Sequence, residues 1–265
     1  MLNRAAVLFA VSVLLPLADA AEGADGNTAR HRRGGEVSIA AAANLVYTID
    51  ALNSEFRKTY PETKLTSTSG ASGSLFAQIQ NGAPFDLFLS ADADFPARLV
   101  QAGLGPPSSL RIFATGRLVA WTTRGDLDLH DIAGAVRHRS VRRIAIAQPQ
   151  TAPYGRAAKA VLDQLGVIAD ARPKFVVGES VTQTAQFVET GNADFGFVAL
   201  SLVLSPRLQA RGTWVEVPAA LYASVPLDHA VVLTRRGEQN PAAKQYLDFL
   251  GGDPAKKILA RFGYK

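Results

Sequence analysis

Four stretches of this chain place small or neutral residues where an apolar run gives way to a helical pattern. They are Ala42-Ala43-Asn44, Gly70-Ala71-Ser72-Gly73, Ala152-Pro153-Tyr154-Gly155 and Glu179-Ser180-Val181-Thr182. A helix that starts at such a turn offers N–H groups with no partner inside the helix, at the positive end of its dipole. Several helix starts aimed at one point make an anion site that needs neither Lys nor Arg. Gly70 and Gly73 let the backbone come close to an oxygen, and Ser72 and Asn44 add side-chain donors. Taken singly, each turn reads as an N-cap, a tight turn or a packed tyrosine. The four together point to an oxyanion-binding cleft.

Other chemistries find less support. Ser72, His229 and several aspartates contain the residue types of a hydrolytic triad, but Gly-Ala-Ser-Gly-Ser lacks the Gly-x-Ser-x-Gly elbow. Asp228-His229 falls in a segment expected to cross between lobes, where a polar surface role is the simpler reading. His31, His130 and His138 lie in charged or loop stretches without ligand spacing, so no zinc site is expected. Asp86, Asp92 and Asp94 are explained as a strand-end residue and helix caps. The chain has no cysteine, which removes thiolate chemistry and cysteine metal sites. Its net charge of +5 is concentrated in Arg30–Arg33 and in Arg137–Arg139 with Arg142 and Arg143. No aromatic residues interleave those clusters, so they read as solvated surface rather than a nucleic-acid face.

The elements that must position the four turns follow from hydrophobic patterning. Residues 1–20 carry Arg4, an apolar run broken by Pro16, and Ala18-Asp19-Ala20 as a small-x-small cleavage site. The run is shorter than the ~20 residues of a spanning helix, so it reads as a cleavable export signal. Residues 21–35 read as a flexible leader. About 245 residues remain after cleavage, enough for two lobes with their own cores. Short apolar strands then alternate with helical patterns, the mark of an α/β protein with largely parallel sheets. Strands are expected over 37–42, 64–68, 86–90, 143–147, 174–177, 194–199 and 227–234. Asn44 is placed to cap a helix through Ile49, Leu52 and Phe56. Helices are also expected after Gly73, over 154–165, around Ala185–Val188, and over 241–250 and 255–262. The order suits two α/β lobes joined by two crossings, near 114–119 and 222–232. One lobe comprises 36–115 with 226–265, and the other 116–225, with a cleft between them.

The segments AAAANL, GASGSLFAQIQNGAPFDLFLSADADFP, TAPYGRAAK, GESVTQTAQFVETGNADFGFVALS and the closing GYK resemble the family of periplasmic molybdate-binding proteins of molybdenum ABC importers. The resemblance runs from Val37 to Lys265, and GASGSL…QIQNGAPFDLFLSAD is its most specific part. It implies a two-lobed periplasmic binding protein fold and no catalysis. It implies capture of molybdate, usually tungstate too, and docking on a membrane permease. The family's ligand positions fall on Asn44, Ser72, Tyr154 and Val181, with the backbone at Ala43 close by. Where the commoner pattern has Ser this chain has Asn44, and where it has a Tyr donor this chain has Ala199. Asn44 and Tyr154 supply donors in their place. The implied protein is a periplasmic monomer without cofactor, holding molybdenum only as an oxyanion and making no direct bond to the metal. A binder of sulfate or phosphate is the nearest alternative, and an exported serine hydrolase a more distant one. A LysR-type sensor domain shares the architecture but requires an N-terminal DNA-reading helix-turn-helix, which is absent from this pattern.

Overall fold

The structure, a computed structural model, describes residues 35–265; the expected export signal and the leader up to residue 34 lie outside them. The chain opens with β1 (Glu36–Ala42), α1 (Thr48–Thr59), β2 (Lys64–Gly70), α2 (Ser72–Gln80), β3 (Leu87–Ser90), α3 (Asp94–Gln101) and β4 (Arg111–Thr115). It then passes to β5 (Leu118–Thr122), α4 (Ile132–Arg137), β6 (Ile144–Ala147), α5 (Pro153–Gln164), α6 (Ile168–Ala171), β7 (Phe175–Gly178), α7 (Val181–Glu189), β8 (Phe195–Ala199), α8 (Leu200–Val203) and β9 (Thr213–Glu216). Finally β10 (Asp228–Leu233), α9 (Arg235–Glu238), α10 (Pro241–Leu250) and α11 (Asp253–Arg261) close it.

The strands form two five-stranded sheets, ordered β2-β1-β3-β10-β4 and β7-β6-β8-β5-β9. The fold is a periplasmic binding protein-like pair of α/β lobes. β3, β5, β6 and β8 are buried along their whole length, because helices cover both faces of each sheet. Ile39 and Phe88 of the first sheet, Phe56 of α1, and Trp121, Phe195 and Phe197 of the second sheet are fully buried. Each such side chain contributes ~1.5–3 kcal/mol by leaving water.

The sheets are mixed, which corrects the expectation of largely parallel sheets. β1 runs parallel to β2 and β3, but β10 is antiparallel to β3 and β4. Likewise β6 is parallel to β7 and β8, while β5 is antiparallel to β8 and β9. β5 and β10 are the strands that enter a sheet from a crossing. They arrive without a helical crossover inside that sheet, so nothing forces them parallel.

The two crossings lie side by side. Gly116, between β4 and β5, donates its N–H to the Leu227 carbonyl just before β10, at 2.8 Å. Thr115 and Lys265 exchange two backbone hydrogen bonds, 2.7 and 3.0 Å, which docks the C-terminal Tyr264-Lys265 on the same spot. Among the described residues no helix is long and apolar enough to cross a membrane.

Candidate functional site

All four strand-to-helix turns end at one small cavity. Ala43, Asn44, Ser72, Tyr154 and Val181 line it, with five further alanine or proline residues and no charged side chain. The first sheet contributes the ends of β1 and β2, and the second those of β6 and β7. Each turn therefore sits at the carboxyl end of a strand, where open α/β sheets bind ligands.

Ser72 is the first residue of α2, and the N-cap position belongs to Ala71 without any side-chain cap. The hydroxyl therefore does not cap the helix. It accepts the Ala91 N–H at 3.0 Å, which leaves its own proton to donate. Tyr154 follows Pro153 at the start of α5, so its N–H lies in the unpartnered first turn. Its hydroxyl is buried against the crossing: a Cβ on Gly116 would lie 2.3 Å from it and 2.6 Å from His229 Cε1. Only glycine fits there. Burial raises the Tyr154 hydroxyl well above its ordinary pKa, with the nearby Tyr264 and Tyr222 adding to the shift, so it remains a neutral donor. Val181 starts α7; the preceding Ser180 caps that helix, accepting the Gln183 N–H at 3.3 Å.

Asn44 departs from expectation. It lies in a short 3-10 turn, Ala43–Leu45, while α1 begins only at Thr48 and takes no side-chain cap. Its buried amide instead donates through Nδ2 to His229 Nε2 and to Tyr264 Oη, both at 2.7 Å. Its carbonyl accepts from Ser201 Oγ at 2.9 Å. His229 is fully buried at the start of β10, not on the surface of a crossing segment. Burial drives its pKa down to about 4, so the ring is neutral at pH 7. The signal in the sequence was a histidine directly before the apolar run Ala230–Leu233.

His229 Nδ1 faces the Leu227 carbonyl at 2.9 Å and Nε2 faces Asn44, so neither nitrogen serves Ser72 as a base. Among the described residues no group of His, Asp and Glu is arranged to hold a metal ion. Asp86 is buried, with its carboxylate accepting from Arg236 and from the Ser38 N–H. Asp92 accepts the Phe95 N–H at 3.2 Å near the start of α3. Ala199, where a Tyr was noted as missing, ends β8 and is not among the lining residues.

The two sheets meet across this cavity. Thr182 Oγ1 donates to the Ala43 carbonyl and Gly73 N–H to the Thr151 carbonyl, both at 2.8 Å. Arg156 on α5 pairs with Asp92, whose side chain is only 5% exposed. The cleft is closed.

A model of the bacterial extracellular solute-binding protein family matches residues 37–265. The chain belongs to that family. Among the relatives of this solute-binding protein, the molybdate-binding protein ModA of Azotobacter vinelandii is 40% identical over 230 residues, which cover 86% of this chain and 89% of that one. ModA of Rhodobacter capsulatus is also 40% identical, over 87% and 88% of the two chains. The solved periplasmic molybdate-binding protein of Azotobacter vinelandii superposes with a TM-score of 0.80 at 32% identity, covering 86% of this chain and 98% of that one. The sulfate-binding protein SubI of Mycobacterium tuberculosis, at 14% identity, shares the fold with a TM-score of 0.71 over 87% and 86%.

Proposed function

We propose that this solute-binding protein captures molybdate, and tungstate equally, and delivers it to the membrane permease of an ABC importer. The observation that carries the reading is the uncharged cavity on which four helix starts from both sheets converge. Molybdate at neutral pH is a dianion without a proton, so each oxygen needs a donor. Hydrogen phosphate carries a proton and gains from an acceptor carboxylate, which this lining lacks. The names of the 40% identical relatives favour the same ligand.

In this reading Ser72 gives its hydroxyl proton, and Ala43, Asn44, Tyr154 and Val181 give backbone N–H groups at the helix starts. The Asn44 side chain adds a donor once its amide is turned toward the anion, while the Tyr154 hydroxyl packs against the crossing at Gly116. Residues 36–115 with 226–265 act as one lobe and 116–225 as the other, with the oxyanion bridging them. Residues 1–20 direct export and are removed near Ala20, and the periplasmic protein works as a monomer without a cofactor.

Isothermal titration against molybdate, tungstate, sulfate and phosphate tests this. Molybdate and tungstate are expected to bind alike, sulfate much more weakly and phosphate most weakly. Phosphate binding as tightly as molybdate would refute the neutral-site argument.

A further inference from the structure

The Asn44 amide is held in one orientation by partners that the oxyanion itself would not touch. Both Nδ2 protons are occupied, one by His229 Nε2 and one by Tyr264 Oη. The Leu227 carbonyl only accepts, so the proton of the neutral His229 ring sits on Nδ1 and Nε2 is the acceptor. That carbonyl also takes the Gly116 N–H, which ties the choice of tautomer to the crossing between lobes. Asn44 Oδ1 is left buried without a partner, one of two such side-chain atoms among the described residues, with Thr48 Oγ1.

An oxyanion reverses what this amide must do, because its oxygens only accept. Turned over, the amide offers Nδ2 to the anion and Oδ1 to Tyr264, whose hydroxyl proton swings to it from the Asn44 backbone carbonyl, its present acceptor at 3.3 Å. His229 Nε2 then faces an acceptor and needs a proton of its own. Moving the ring proton across from Nδ1 would set a lone pair against the Leu227 carbonyl, so only the imidazolium satisfies both neighbours. We propose that His229 is the positioning residue of the oxyanion site: its neutral ring holds the Asn44 amide in the orientation seen here, and a bound oxyanion turns that amide over while one solvent proton is taken up on Nε2. The inference rests on the oxyanion reading above.

The surroundings permit that charge only with an anion present. Tyr264 and Tyr154 pack edge-on to the ring at 5.2 and 6.2 Å, and Phe113 at 6.1 Å. Burial keeps both tyrosines protonated, Tyr264 being pushed up to about 12. The Leu227 carbonyl and the neighbouring Asp228, which accepts from Thr115 Oγ1 at 2.8 Å, favour the imidazolium, but desolvation outweighs them and holds the ring near 4 in this arrangement. A buried dianion supplies the missing opposite charge.

Titration calorimetry of the full protein with molybdate, in two buffers of different ionisation enthalpy, reads the proton directly. Near pH 6 uptake is expected to approach one proton per molybdate, and affinity to fall by up to ~10-fold per pH unit as pH rises through the bound-state pKa. Binding without proton uptake would overturn the proposal and leave the oxyanion reading intact; no binding of molybdate at all would overturn both. His229→Gln is expected to abolish the uptake and flatten the pH profile, whatever its affinity, and unchanged uptake would overturn the proposal. Nitrogen-15 NMR of the histidine rings needs no variant. It is expected to show an Nδ1–H tautomer in the free protein and an imidazolium in the complex, and a neutral ring in both would overturn the proposal.

Discussion

In the proposed function the Ser72 hydroxyl serves the site and the fold together. It accepts the N–H of buried Ala91, which leaves its proton to give to a ligand oxygen. Ser72→Ala is therefore expected to act twice. Losing a hydrogen bond to a charged acceptor, ~1.5–3 kcal/mol, should weaken molybdate binding ~10–150-fold by calorimetry. The orphaned Ala91 N–H should also cost the ligand-free protein ~1–3 kcal/mol in denaturant unfolding. Affinity unchanged beside lowered stability would remove the hydroxyl from the ligand and leave it a structural acceptor. At this scale the sequence was legible where a residue's place depends on its own turn: Ser72 and Val181 each open a helix at the cavity. It was opaque where the role depends on a distant partner: Asn44 meets His229 and Tyr264 across 185 and 220 residues of chain. No local pattern announces such a meeting.

Helix starts are the elements that make the site, and they were readable because each follows a short apolar strand and opens with small residues. β4, β5 and β9 were not anticipated, since the chain near 114–119 was read as a crossing and 213–216 carries exposed Trp214 and no clear alternation. Their antiparallel pairing is set by lobe topology, which neighbouring residues do not encode. The starts of α2 and α5 also touch each other. A Cβ on Gly73 would fall 2.8 Å from Phe95 Cζ and 2.9 Å from Thr151 Cα, both too close. Phe95 and Gly73 belong to one lobe, but Thr151 belongs to the loop ahead of α5 in the other. Gly73→Ala is thus expected to strain the closed cleft by ~1–3 kcal/mol, weakening molybdate ~5–150-fold. The ligand-free melting temperature should change little, because an open cleft relieves the Thr151 contact and alanine suits a helix better than glycine. A melting temperature that falls as steeply as the affinity would place the strain within one lobe instead.

For the whole molecule, the bonds from Thr182 to Ala43, Gly73 to Thr151 and Ser201 to Asn44, with the Arg156–Asp92 pair, hold two sheets against each other around the cavity. Each such hydrogen bond adds only ~0.5–1.5 kcal/mol net of water, and a bridging dianion is expected to add the attraction that keeps the cleft shut. Small-angle scattering is expected to give a larger radius of gyration without ligand and, with molybdate, a profile matching this closed structure. A radius unmoved by saturating molybdate would mean that the lobes do not open. Arg156→Met tests the same balance from the protein side. In the closed cleft it leaves the Asp92 carboxylate buried and unpaired, whereas in an open cleft water reaches that carboxylate. Breaking such a pair, discounted for the partial exposure of Arg156, should cost the closed state ~2 kcal/mol and weaken molybdate ~30-fold. The variant's ligand-free scattering should match the open wild type, and more molybdate should be needed to reach the closed radius. Wild-type affinity in Arg156→Met would show that Asp92 keeps its solvation when the cleft closes, and that the ion pair follows closure without favouring it.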